Sequence, residues 1–184
     1  LSFSAHKFYG PKGVGGLFVR AGRELPSALM AGGGKEAGIR AGTENLAGIV
    51  GCGVAFRLAM ERFLEDCGRI ASLRRELMTR IRQAAPDLQF LGALDQSLPN
   101  TLCFTREGIR GEDWVIALDR ERIAVSTGTA CRSGSREPVR ALLAMGYSPS
   151  QVLGAVRLSL GRDNDSGQMA RVAEAIGRIR RQFH

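Results

Sequence analysis

Apolar positions repeat along this chain with two different periods. Leu1-Ser2-Phe3-Ser4 alternates apolar and polar, the spacing of a half-buried strand. Tyr9-Gly10-Pro11-Lys12-Gly13 is turn chemistry, and Gly16-Leu17-Phe18-Val19 reads as a second strand. Positions 20–42 keep no period and carry Gly32-Gly33-Gly34 and Gly38-Ile39-Arg40-Ala41-Gly42, so a loop is predicted there. Thr43 is suited to cap a helix, with Glu44 in its first turn. Leu46, Ile49, Val50, Val54, Phe63, Cys67, Ile70, Leu77 and Ile81 then hold helical spacing until Pro86 stops it. That run is too long for one ordinary helix, so a break between Arg57 and Arg62, or a long connector between two domains, is expected.

Strands and helices alternate through the rest. Thr101 to Thr105 predicts a strand, Glu112 to Leu118 a short helix around Trp114, and Arg122 to Ser126 another strand. Glu137-Pro138 is placed to open a helix that Gly146 closes. Ser148-Pro149-Ser150-Gln151 is a capping-box signature. In Val156-Arg157-Leu158-Ser159-Leu160 the apolar residues share one face, leaving Arg157 and Ser159 together on the other. A last helix from about Asp165 carries Met169, Val172, Ala173, Ile176, Ile179 and Phe183 on one stripe. The fold class this predicts is α/β, in two unequal units.

Composition narrows the picture. With 184 residues, 44% hydrophobic and 24% charged, the chain can bury a core and is not a disordered segment. No apolar run is long enough for a transmembrane helix, and the first residues lack a signal-peptide layout, so no membrane partner is expected. The chain does not begin with Met, which fits a piece of something longer. The net charge of +8 would suit an anionic partner. However, the Arg residues are scattered among Glu and Asp, and the aromatics are not interleaved with them, so no nucleic acid is expected. Cys52, Cys67, Cys103 and Cys131 show no C-x-x-C spacing, and two His are too few for a typical zinc site, so no metal is predicted. Dispersed Cys read as reduced thiols of a cytoplasmic protein.

Three places hold candidate chemistry. In Ser4-Ala5-His6-Lys7 the Lys is either a solvated turn residue or an amine kept because it can lose its proton, as Arg cannot. Ser4 and His6 set two polar donors beside it, a group suited to an aldehyde cofactor that carries a phosphate. Cys52, Cys67 and Cys103 read as buried small hydrophobes, with Cys52 and Cys67 unreactive on their helices. Cys131 instead lies in a small polar loop next to Arg132 and is either an incidental thiol or a usable thiolate. Arg157 is either half of a structural ion pair or a fork for a substrate carboxylate.

Ser4-Ala5-His6-Lys7, Gly10-Pro11-Lys12-Gly13, Gly32-Gly33-Gly34, Arg40-Ala41-Gly42-Thr43-Glu44-Asn45, Thr127-Gly128-Thr129-Ala130-Cys131 and Arg157-Leu158-Ser159-Leu160-Gly161-Arg162 occur in this order. Together they resemble the C-terminal half of a cysteine desulfurase of the nitrogenase and iron–sulfur assembly type, a pyridoxal-phosphate-dependent member of the class V aminotransferase superfamily. The resemblance implies the fold-type I transferase fold, with residues 1–62 the end of a large cofactor domain and residues 63–184 a small C-terminal domain. It implies pyridoxal 5'-phosphate as cofactor, bonded through Lys7 with Ser4 and His6 at its phosphate. Thr43 would reach the phosphate of a neighbouring subunit, giving a homodimer with shared sites. Arg157 would hold the carboxylate of L-cysteine, and Cys131 would accept its sulfur as a persulfide for an acceptor or scaffold protein, in a loop hinged by Gly128 and Gly134. Ala37 departs from the family, whose members commonly carry a basic residue there.

By the same resemblance the family's other half carries the aspartate for the pyridine nitrogen and the histidine stacked on the ring. The isolated chain is therefore expected to bind the cofactor weakly and to lack useful activity. Two alternatives stand beside desulfuration: an aminotransferase or selenocysteine lyase that dispenses with Cys131, and a non-catalytic interaction module.

Overall fold

The computed structural model describes residues 1–127 and 139–183. The chain divides into two units, Leu1–Phe63 and Leu64–His184.

In the first unit, β1 (Ser2–Ser4) pairs antiparallel with β2 (Gly15–Leu17), with Phe3 opposite Gly16. Gly at this position lets the two strands close, because a Cβ there would fall within 2.5 Å of the Phe3 ring. The link between the strands is a turn of 3-10 helix, Ala5–Phe8. The Gly-rich stretch that follows is mostly irregular, as expected, with one further 3-10 turn at Glu36–Gly38. The first long helix, α1, runs Leu46–Glu61.

Its start corrects the expectation that Thr43 caps it with Glu44 in the first turn. The cap is Asn45, whose side chain accepts from the Gly48 amide at 3.1 Å, and the first turn holds no acid. An Asn side chain satisfies the orphan amide as well as a Thr would, and here it sits at the correct spacing from it. Helix α1 is apolar on nearly every side, and Leu46, Ile49, Val50, Val54 and Phe56 are exposed. The expected break falls at Arg62, after which α2 runs Phe63–Ala84 and ends before Pro86.

The second unit carries the core. Four strands, β3 (Gln89–Leu91), β4 (Thr101–Thr105), β5 (Ser126–Thr127) and β6 (Val156–Ser159), form an antiparallel sheet in the order β3-β4-β6-β5. Helices α3 (Gly111–Arg120), α4 (Arg140–Ala144), α5 (Pro149–Leu153) and α6 (Ser166–Gln182) complete it. Alternation puts Leu102 and Phe104 of β4 and Val156 and Leu158 of β6 on one face. They pack with Leu77 and Ile81 of α2, Trp114 and Leu118 of α3, and Met169, Ala173 and Ile176 of α6 in one cluster. Burying such side chains stabilises by roughly 1.5–3 kcal/mol each before entropy is counted.

The capping box expected at Ser148 forms, and the structure adds a second one at Asp165. Ser148 and Gln151 exchange bonds at the start of α5, and Asp165 and Gln168 do so at the start of α6. Helix α4 ends near Gly146 at φ 89°, while the proposed opening at Glu137-Pro138 lies outside the described residues.

The strand expected from Arg122 to Ser126 is shorter than that. Arg122 takes φ 58° and the Ile123 amide bonds back to the Leu118 carbonyl, so these residues finish α3. Only Ser126 and Thr127 pair with β6.

The expectation that Cys52 and Cys67 are largely buried is also corrected. Both are only partly buried. Cys52 lines an apolar cavity of about 390 Å³ with Phe3, Ile49 and Phe56. Cys67 precedes Leu73, the first fully packed residue of α2. Helical spacing marks an apolar side but does not say where along the helix the core begins.

Candidate active site

Local geometry builds the first group. The Ala5 amide bonds to the Val14 carbonyl and the Gly10 amide returns to the Ala5 carbonyl at 2.9 Å, closing the turn that follows β1. Ala5 is fully buried, whereas His6 and Lys7 face solvent. Tyr9 ends the turn at φ 68°. Gly10 is required next, because a Cβ there would meet Ala5 and its carbonyl at 2.9 and 3.0 Å and Ala55 of α1 at 3.1 Å.

The result holds Ser4, His6 and Lys7 on one tight turn. Ser4 makes no cap bond, and the side chains of His6 and Lys7 are not engaged by the described residues. A free hydroxyl, imidazole and amine on one rigid turn have the chemistry to hold an aldehyde-bearing phosphate, so the residues present fit pyridoxal phosphate.

Thr43 does not join that turn. It lines a separate cavity of about 670 Å³ in the same unit, together with β2, Glu36, Arg40 and Asn45. Beside it Lys35 and Glu44 pair at 3.5 Å. Glu36 and Ala37 both take positive φ, 50° and 55°, a conformation that costs side-chain-bearing residues free energy.

Arg157 lies in the second unit, on β6, with Cys103 of β4 and Ser126 of β5 as its Cα partners. It is partly buried, on the sheet face opposite the core. The structural ion pair open to it from the sequence does not form: no carboxylate contacts it among the described residues. Its Nε is fully buried with no hydrogen-bond partner. Buried guanidinium groups are ordinarily paired, as Arg106 is with Asp87 at 2.8 Å. Among the described residues Arg157 has no charge partner.

Cys103, expected as a buried small hydrophobe, is only partly buried and stands opposite Arg157. Burial pushes its thiol up to about 11, with the charge of Arg157 pulling the other way. The signal for this placement was present in the alternation of β4, which sets Cys103 on the face opposite Leu102 and Phe104. Cys131, with Gly128 and Gly134, lies outside the described residues.

The chain belongs to the aminotransferase class-V family, whose model matches residues 1–172. It is 44% identical over 184 residues to a Clostridium botulinum protein named cysteine desulfurase IscS, covering 99% of this chain and 46% of that protein. Among solved structures a NifS-like protein superposes with a TM-score of 0.86 at 35% identity, over 98% of this chain and 46% of that one. A structure described as SspA in complex with cysteine superposes with a TM-score of 0.57 at 30% identity, over 88% and 43%. The α/β architecture is accordingly that of a portion of a fold-type I transferase. The chain spans about half the length of the curated relatives it matches. No helix among the described residues is long and apolar enough to cross a membrane.

Proposed function

We propose that this chain is the lysine- and cysteine-bearing portion of a cytoplasmic, homodimeric cysteine desulfurase that supplies sulfur for iron–sulfur cluster assembly. The observation that carries the reading is the turn holding Ser4, His6 and Lys7 with their side chains uncommitted, in a chain 44% identical to a protein of that name.

Pyridoxal 5'-phosphate, when bound, supplies an aldehyde for the substrate amine and an electron sink for the bonds to its α-carbon. Ser4 and His6 would hold its phosphate, with Thr43 reaching that of the second subunit. Lys7 would hold the cofactor through its amine and move protons at the substrate carbons. Arg157 grips the carboxylate of L-cysteine and orients the molecule. The thiolate of Cys131 forms an S–S bond to the substrate sulfur as the C–S bond breaks. That bond's electron pair stays with carbon and takes a proton, leaving L-alanine and a Cys131 persulfide for an acceptor protein. In balance, L-cysteine and one enzyme thiol become L-alanine and one enzyme persulfide.

The test uses the enzyme reconstituted from this chain and the N-terminal portion that the relatives carry. Cys131→Ala is expected to keep the cofactor's absorbance and abolish sulfide release, while Lys7→Ala loses both. Wild-type sulfide release by Cys131→Ala would sink the persulfide role, and a transaminase product would favour the aminotransferase alternative.

A further inference from the structure

Arg157 stands inside a row of side chains that crosses the sheet on the face away from the core. Cys103 is its direct partner on β4 and Ser126 on β5. Side chains directly opposite in antiparallel strands have Cβ atoms about 4.5–5.5 Å apart, so both flank the stem of the guanidinium. Neither can carry a negative charge at neutral pH in this setting. Ser126 does not ionise, and the thiol of Cys103 is held protonated by its burial, although Arg157 opposes this.

Among the described residues no carboxylate lies within ion-pair distance of Arg157, and its buried Nε has no hydrogen-bond partner, so the sheet strands themselves do not discharge the cation. An Asp or Glu at position 103 would do so, forming an ion pair across β4 and β6 and closing the fork to anything else.

We propose that Cys103 is a positioning residue for Arg157: it fills the flank of the guanidinium with a small neutral group, so that the charge remains for a carboxylate ligand. This rests on the reading of Arg157 as the substrate anchor, and the two can fail separately.

The reconstituted enzyme is assayed with L-cysteine as the Cys103→Asp, Cys103→Asn, Cys103→Ser and Arg157→Lys variants. Cys103→Asp is expected to raise KM about tenfold or more with kcat nearly unchanged, the pattern of lost ligand binding. Cys103→Asn and Cys103→Ser should stay within about twofold of wild type, since neither adds charge. Arg157→Lys should raise KM as well, because an ammonium lacks the two-pronged grip.

A raised KM in Arg157→Lys with an unchanged KM in Cys103→Asp overturns the role of Cys103 and leaves the anchor standing. An unchanged KM in Arg157→Lys overturns the anchor and this proposal with it. Equal effects of Asp and Asn also overturn it, because shape and not charge would then decide.

A second measurement needs neither cofactor nor catalysis and decides the matter if Cys103→Asp does not fold. Alkylation of Cys103 in the 184-residue chain is followed by mass spectrometry near pH 9. Arg157→Met is expected to slow it by roughly threefold or more, because the lost positive charge disfavours the thiolate. An unchanged rate means the two groups do not feel each other and overturns the proposal.

Discussion

Trp114 of α3 meets Phe104 of β4 edge to face, with ring centroids 5.4 Å apart and planes at 87°. A second edge contact, at 5.2 Å, joins it to Phe183 just past α6. This single tryptophan therefore ties one helix to the sheet and to the end of another. Trp114→Ala is expected to cost about 3–5 kcal/mol in urea unfolding, by lost burial and the cavity left behind. Trp114→Phe should cost far less, because it also removes an indole N–H that is buried without a partner among the described residues. Equal losses in the two variants would contradict this account of the core.

Two glycines should respond in opposite directions to the same change. A Cβ on Gly154 would come within 2.6 Å of the Thr105 hydroxyl and 2.7 Å of the Ile109 carbonyl. Gly154→Ala is expected to destabilise by about 1–3 kcal/mol, partly by displacing Thr105 from its 2.8 Å bond to the Gln151 carbonyl. Gly68 lies inside α2 with open space where its Cβ would be. Gly68→Ala should stabilise by about 0.5–1 kcal/mol, since Gly loses more backbone entropy in a helix. Thermal melts of the two variants against wild type measure both.

Ser166, the first residue of α6, donates to Glu76 of α2 at 2.6 Å, and Arg80 donates to the same oxygen at 2.8 Å. The serine bond, then the arginine, hold this carboxyl below its ordinary 4.5. A depressed carboxyl contributes stability above 4.5, and that contribution is lost as pH falls through the lowered value. Ser166→Ala should therefore melt slightly earlier than wild type near neutral pH, with the gap closing in acid. A gap independent of pH would contradict the assignment.

Cys103 gives the complementary test in base. Its thiol is raised from 9.0 to about 11, so the unfolded chain loses this proton first. The contribution of the neutral thiol is fully present below 9.0 and is lost as pH rises toward about 11. Wild type should lose stability relative to Cys103→Ser across that window. Parallel curves of melting temperature against pH would show that the thiol ionises as freely in the folded chain as in the unfolded one.

Much of the candidate site is legible along the chain because it is local. Ser4, His6 and Lys7 lie within four residues, so the end of β1 and the turn directly after it carry all three. The alternation in Val156 to Leu160 likewise places Arg157 away from the core before any partner strand is known. Thr43 does not cap α1. Thr and Asn both suit that role, and only the backbone path shows that Asn45 takes it.

By itself the sequence determined what short-range bonds decide: the capping box at Ser148, the break at Arg62, the turn after β1 and the polar face of β6. Tertiary structure alone decided which strands lie beside one another. Strand β3, three residues long at the sheet edge, carries too little pattern to be seen until β4 pairs with it. The meeting of Cys103, Arg157 and Ser126 belongs to the same class. Their encounter depends on the register between strands distant in sequence. That register is set by burying Leu102, Phe104, Val156 and Leu158 against three helices at once, a cooperative packing that no local stretch encodes.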